Sequence, residues 1–139
     1  MQIGKKEETV TTEATVWRQL RIKTGIVKRL SKDVVSYQAE ADIQQVRLDK
    51  MLEEKKDEYD IKKMGQVVQE SLMMIPHCLR RLKIANEDLT TFTDEQKDII
   101  EGFLTKEEEK EESELARLYR AAREQRAEAE ELIAKHEKN

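Results

Sequence analysis

Proline and cysteine occur once each in this chain, glycine only four times, and aromatic residues make up 4% of it. A single cysteine, Cys78, excludes an internal disulfide and fits a reducing compartment. The four glycines are isolated from one another, so no loop can cradle phosphate through consecutive backbone amides. No run of about 18 apolar residues exists, which excludes a transmembrane helix. Met1 to Glu13 lack the apolar stretch of a secretory signal, and the expected location is cytoplasmic. The two histidines, His77 and His136, lie far apart in sequence. His77 and Cys78 are neighbours that point in different directions on a helix, which makes them poor joint metal ligands. His77 reads as a surface histidine and Cys78 as a small core residue. With no pair of carboxylates placed in a pocket, the sequence points to no metal, no cofactor and no enzyme.

What is abundant is charge. Asp, Glu, Lys and Arg supply 40% of the residues against 37% apolar, and the net charge is −4. Few turn formers with plentiful Glu, Lys, Arg, Gln and Ala argue for long helices in a bundle or coiled coil. A lean apolar content implies narrow seams between helices rather than a thick interior. The acidic balance predicts a soluble protein and weighs against general nucleic-acid binding.

Residues 1–14 are polar, rich in Thr and without helical period, and read as a flexible N-terminal tail. A first helix is expected over about 15–55. Steps of three and four give Leu20, Lys23, Val27, Leu30, Val34, Tyr37, Ala41, Gln44, Leu48 and Met51, a seam of about 60 Å at 1.5 Å per residue. Gly25 costs that helix roughly 1 kcal/mol against Ala, too little to break it. Glu53–Asp60 is a charged turn in which Asp57 or Asp60 can cap the next helix. The second helix, about 60–90, has the clearest seam: Ile61, Met64, Val68, Ser71, Ile75, Cys78, Leu82, Ala85, Leu89 and Phe92. Val67, Leu72, Met74 and Leu79 widen it on both sides, as suits a helix touching two neighbours. Pro76 sits inside it and predicts a kink rather than a stop.

Thr93-Asp-Glu-Gln96 has the spacing of a capping box and predicts a third helix over about 94–136. Ile99, Ile100, Phe103 and Leu104 begin its seam, and Leu115, Leu118, Ala122, Ala129 and Leu132 resume it. Between them Lys106–Glu114 carries no apolar residue, and Gly102 with Thr105 makes an interruption near 105–113 plausible. The expected fold is all-α: one antiparallel three-helix bundle, 15–139, with coiled-coil-like seams.

Two faces carry candidate binding chemistry. No acidic residue lies between Ala14 and Lys32, yet Arg18, Arg21, Lys28, Arg29 and Lys32 fall on the face opposite the Leu20 seam. Such a stripe is either solubilising charge paired loosely with the acidic third helix or a docking surface for an acidic partner. Nucleic acid is disfavoured because no aromatic residues interleave with the basic ones. On the second helix Met73, Pro76, His77, Arg80 and Ile84 fall away from the seam. Exposed Met and Ile beside an arginine suit an interaction patch, unless bundle packing covers them.

The same two stretches resemble the tubulin-binding cofactor A family. The resemblance rests on Arg18-Gln-Leu-Arg-Ile-Lys-Thr-Gly-Ile-Val-Lys-Arg-Leu30, on Tyr59-Asp-Ile-Lys-Lys63, and on Gln69-Glu-Ser-Leu-Met-Met-Ile-Pro76 with Cys78 and Arg80-Arg-Leu82. It covers roughly residues 18–90 in the family's order. It implies a three-helix bundle and a non-enzymatic cytoplasmic folding cofactor associated with the cytoskeleton. Such cofactors capture quasi-native β-tubulin after chaperonin release and pass it to other tubulin cofactors for α/β pairing, without a nucleotide of their own. Three features depart from the family: a longer amino-terminal tail, a first turn Lys55-Lys-Asp-Glu58 without its usual glycine, and a longer segment 91–139 whose best match is Tyr119-Arg-Ala-Ala-Arg123. The alternative reading is a structural coiled-coil adaptor that binds other helical proteins.

Overall fold

The computed structural model describes residues 12–106 and 113–138. Within them the chain is all-helical: α1 spans Glu13–Glu53, α2 Glu58–Glu95, α3 Lys97–Lys106 and α4 Glu114–Glu137. The tail expected over 1–14 shrinks at its inner end, because Thr12 caps α1 and residues 13 and 14 are already helical. Residues 1–11 lie outside the described part, as do 107–112, the centre of the acidic run.

Local chemistry sets each boundary. The Thr12 hydroxyl accepts from the Thr15 amide at 3.1 Å, Asp57 Oδ2 from Tyr59 at 3.0 Å, and Ser113 Oγ from Ala116 at 3.0 Å. Each satisfies an amide that the first helical turn leaves without a partner. α1 ends in a Schellman turn: the Lys56 amide donates to Met51 and the Lys55 amide to Leu52, with Lys55 at φ 56°. That left-handed position is the one where a glycine is usual. A lysine there costs about 1 kcal/mol, which the two closing hydrogen bonds offset.

The seam residues are where the periodicity puts them. Leu20, Val27, Leu30, Val34 and Ala41 of α1 and Val68, Ile75, Cys78, Leu82 and Leu89 of α2 are buried. Lys23 meets Asp88 at 2.7 Å and Gln44 meets Ser71 at 2.7 Å, so α1 and α2 run antiparallel over most of their lengths. Lys83 pairs with Glu137 and Arg126 with Thr93, so α4 runs antiparallel to α2 as well. At one end of the molecule Glu13 and Trp17 neighbour Ser113 and Leu115; further along, Val35 and Ala39 neighbour Leu132 and Lys135. α4 therefore lies parallel to α1, and Leu115, Ala122 and Ala129 close the core from its side. Burial, with the Asp33 carboxylate near, pushes the Cys78 thiol above its ordinary range, and Arg81 pulls weakly the other way. Cys78 thus stays a protonated, apolar core residue.

One expectation needs correction. Thr93 is not a cap. α2 runs past it to Glu95, and its hydroxyl, buried, donates back to the carbonyl oxygens of Leu89 and Thr90. The capping-box spacing also fits a helix interior, and the Phe92 side chain packed on the core holds the extra turn in place. The third helix, expected over about 94–136 with an interruption near 105–113, is here α3, which starts at Lys97 and runs through Gly102 to Lys106, and α4, which begins at Glu114. Pro76 does not stop α2, which is continuous on both sides of it.

Gly25 is exposed in the middle of α1, and a Cβ there would meet nothing within 4 Å. Gly25→Ala should therefore raise unfolding stability by about 1 kcal/mol through backbone entropy alone. Urea unfolding followed by circular dichroism measures the gain; a loss would mean that the open helix face is occupied.

Candidate functional site

Arg18, Arg21, Lys28, Arg29 and Lys32 are all exposed on α1. The seam opposite them is tied down by Leu20, Val27 and Leu30, so the stripe is held on a stiff helix rather than on a loop. The structure does not keep the five together. Lys28 and Lys32 line an open groove of about 1010 Å³ between α1 and α4, with Val35, Glu128, Leu132 and Lys135. Arg29 turns to the other side and lines a smaller groove between α1 and α2 with Ile26, Arg81 and Ile84. The Arg21 guanidinium lies 5.5 Å from the Trp17 ring centroid, a stacking contact that fixes its direction.

Two acidic residues of α4 share a groove with part of this stripe. Glu128 and Glu131 line the same groove as Lys28 and Lys32, yet no ion pair joins these side chains among the described residues. Glu128 instead accepts from Gln125 at 3.1 Å. The charge on Arg18, Arg21, Lys28 and Lys32 is therefore available to a partner.

On α2, Met73, Pro76, His77 and Arg80 are exposed, Met73 at 68%. Ile84 is equally exposed, and it lines the α1–α2 groove. Bundle packing does not cover these side chains. The Lys23–Asp88 and Gln44–Ser71 contacts fix the α1–α2 register. They set Arg80 about level with Lys32, and Met73 about two turns further along, near Gln38 to Asp42. The basic stripe and the methionine patch thus follow one another along the molecule's long axis.

Sequence reasoning missed a polar layer under α4. Thr24, Ser31, Asn86 and Thr93 are all buried where α4 crosses α1 and α2. Arg126 of α4 reaches into that layer and donates to the Thr93 hydroxyl at 3.0 Å. The hydroxyls of Thr24 and Ser31 and the Asn86 carbonyl oxygen have no protein partner. The only sequence signal was their seven-residue spacing, 24 to 31 and 86 to 93, which a search for apolar periodicity passes over. Among the described residues no three His, Cys, Asp or Glu side chains gather in a way that would hold a metal ion, and no helix is long and apolar enough to cross a membrane.

Comparison with known proteins covers this whole surface. The family model described as Tubulin binding cofactor A matches residues 15–134, well beyond the stretch 18–90 on which the sequence resemblance rested. Tubulin-specific chaperone A of Gallus gallus is 49% identical over 85 residues, 61% of this chain and 79% of that protein. The Homo sapiens protein of the same description is 48% identical over the same shares. The crystal structure of tubulin folding cofactor A from Arabidopsis thaliana superposes with a TM-score of 0.64 at 30% identity, over 86% of this chain and 99% of that one.

Proposed function

Since this chain belongs to the tubulin-binding cofactor A family, we propose that it captures quasi-native β-tubulin after chaperonin release and holds it for assembly into the α/β heterodimer. Tubulin chaperoning is the role its relatives' names carry. The proposed action is binding alone, in the cytoplasm beside the cytoskeleton, with the subunit handed on to other tubulin-folding cofactors. The chain is all-helical among its described residues, as are the solved structures it resembles, with α4 antiparallel to α2 and parallel to α1.

The observation that carries the choice of surface is the exposed stripe of Arg18, Arg21, Lys28 and Lys32, free of direct ion pairs among the described residues, followed by the exposed Met73, Pro76 and Arg80. The stripe speeds and orients encounter with an acidic tubulin face, because charge complementarity acts on association more than on residence. The methionine patch then supplies adaptable apolar contact, since Met fits irregular surfaces. Arg29 belongs to the rim of this reading because it turns into the neighbouring groove, whereas His77 is exposed one turn from Met73.

Two substitutions test the patch. Pro76 deprives the Leu72 carbonyl of its amide partner in a helix that nevertheless continues. Pro76→Ala should leave stability unchanged or raise it, by at most about 3 kcal/mol, while weakening capture of β-tubulin. Met73→Asp should weaken capture without unfolding, because Met73 packs on no core residue. Melting temperature and co-elution with β-tubulin, read on the same samples, decide between roles. A destabilised Pro76→Ala together with a normally binding Met73→Asp would make the role of Pro76 purely structural.

A further inference from the structure

The three long helices are not held together by the same chemistry. α1 and α2 share a seam of large aliphatic side chains, Leu20, Val27, Leu30 and Val34 with Ile75, Leu82 and Leu89. Ser71, a buried polar residue further along that seam, has its partner in Gln44 at 2.7 Å. α4 brings three buried side chains, Leu115, Ala122 and Ala129, two of them single methyl groups. Leu118, Tyr119, Leu132 and Ile133 pack on the core only in part.

Because α4 is parallel to α1, the two helices keep step. Seven residues on from the neighbours Trp17 and Leu115 come Thr24 and Ala122, and seven further Ser31 and Ala129. The middle of the α4 seam therefore sets alanine level with hydroxyl. Thr24 and Ser31 are 8% and 6% exposed, and neither hydroxyl has a protein partner; nor has the Asn86 carbonyl oxygen. Arg126 donates to Thr93 through a terminal nitrogen, while its Nε is buried without a partner. A polar atom buried in this way loses its hydration and gains no hydrogen bond in exchange, and alanine has little apolar area with which to offset that loss. Opening would return these groups to water. The aliphatic α1–α2 seam offers no such return, so α4 is the more weakly docked of the three helices.

We propose that α4 is a releasable arm, which opens from the α1–α2 hairpin as one unit while the hairpin stays folded, and which shields part of the basic stripe when closed. Stability is distributed over a structure in cooperative units of this kind. In the closed form Glu128 and Glu131 line the groove that Lys28 and Lys32 also line. Opening withdraws both carboxylates and leaves α1 with no acidic residue between Ala14 and Lys32. The field that draws an acidic partner to α1 is thereby damped in the closed form and restored in the open one. The shielding rests on the proposed function above; the opening does not.

Native-state amide exchange of the full chain, repeated at rising urea, tests the opening. Amides from Leu118 to Ile133 should exchange together, about a hundredfold less protected than those around Leu20 and Leu82 and with a shallower urea dependence, because less surface is exposed. Equal protection and equal urea dependence in α1, α2 and α4 would overturn the proposal. So would protection lost only toward the two ends of α4, which is fraying. Thr24→Val with Ser31→Ala removes the two unpartnered hydroxyls, leaves every charge in place, and should raise α4 protection about tenfold. α1 stays helical in the open form, so its own helix propensity does not enter that comparison. Unchanged or lower protection of α4 in this variant contradicts the arm. By stopped flow at low salt the same variant should associate with β-tubulin about threefold or more slowly than the parent chain; an equal rate overturns the shielding. Absence of any complex with the parent chain removes instead the tubulin reading, and exchange alone then decides the arm.

Discussion

Reversing Arg18, Arg21 and Lys28 to Glu should slow association with β-tubulin by about ten- to a hundredfold at low salt and abolish most of its salt dependence. The three side chains are exposed, and none is tied by an ion pair among the described residues. The fold should survive. Surface substitutions typically move stability within about 0.5 kcal/mol each, and loss of the Arg21–Trp17 stack adds about 0.5–1 kcal/mol. The total stays below about 2.5 kcal/mol, within the 5–15 kcal/mol that a domain ordinarily has in hand. Stopped-flow association at several ionic strengths is the measurement. Salt screens exposed charges over about 8 Å at physiological strength, so a steering stripe must show a falling rate as salt rises. Rates that are flat with salt in the parent protein would reduce the stripe to solubilising charge.

Leu82→Ala should cost about 3–5 kcal/mol, the largest stability loss expected of any single substitution considered. Leu82 is fully buried at the centre of the α1–α2 seam, and the cluster around it includes Leu20, Val27, Ile75 and Leu89. Truncation forfeits the transfer energy of the side chain and leaves a cavity that two long, stiff helices cannot collapse. The loss corresponds to a fall in Tm on the order of 15 °C for a chain of this size. Differential scanning calorimetry gives the number. A loss below about 1 kcal/mol would mean that the seam is not the load that holds α1 against α2.

The contrast between these two variants follows from how the sequence is built. The α1 and α2 seams were legible because apolar side chains recur every three or four residues over some forty positions, and nothing but a helix pair buries that pattern. The charged α1 face was legible for the same reason, being what remains when the seam is subtracted. The end of α2 was not. Thr93-Asp-Glu-Gln96 satisfies the spacing of a capping box, but Arg126, 33 residues away, holds the Thr93 hydroxyl inside the helix. A long-range partner of that kind leaves no local trace.

The polar layer of Thr24, Ser31, Asn86 and Thr93 was hidden by its own chemistry. Polar residues at seam-flanking positions read as solvent-facing until a third helix is placed on them. Nor could periodicity show that Arg29 parts from Lys28 and Lys32, or that the Met73 patch begins where α4 stops. Both depend on which side of the α1–α2 pair α4 takes. Of the nine candidate binding residues, all are exposed as the wheel placed them. The structure puts Lys28 and Lys32 on one groove and Arg29 on another, with Met73, Pro76, His77 and Arg80 exposed on α2.

The central claim is that this chain binds quasi-native β-tubulin through the face that runs from Arg18 to Met73. Its most direct test is size-exclusion co-elution of the purified chain with β-tubulin released from chaperonin, run beside the Arg18/Arg21/Lys28 reversal and Met73→Asp. The account predicts a complex with the parent protein and its marked loss with both variants, each still helical and cooperatively folded. A complex of equal yield in all three would contradict it.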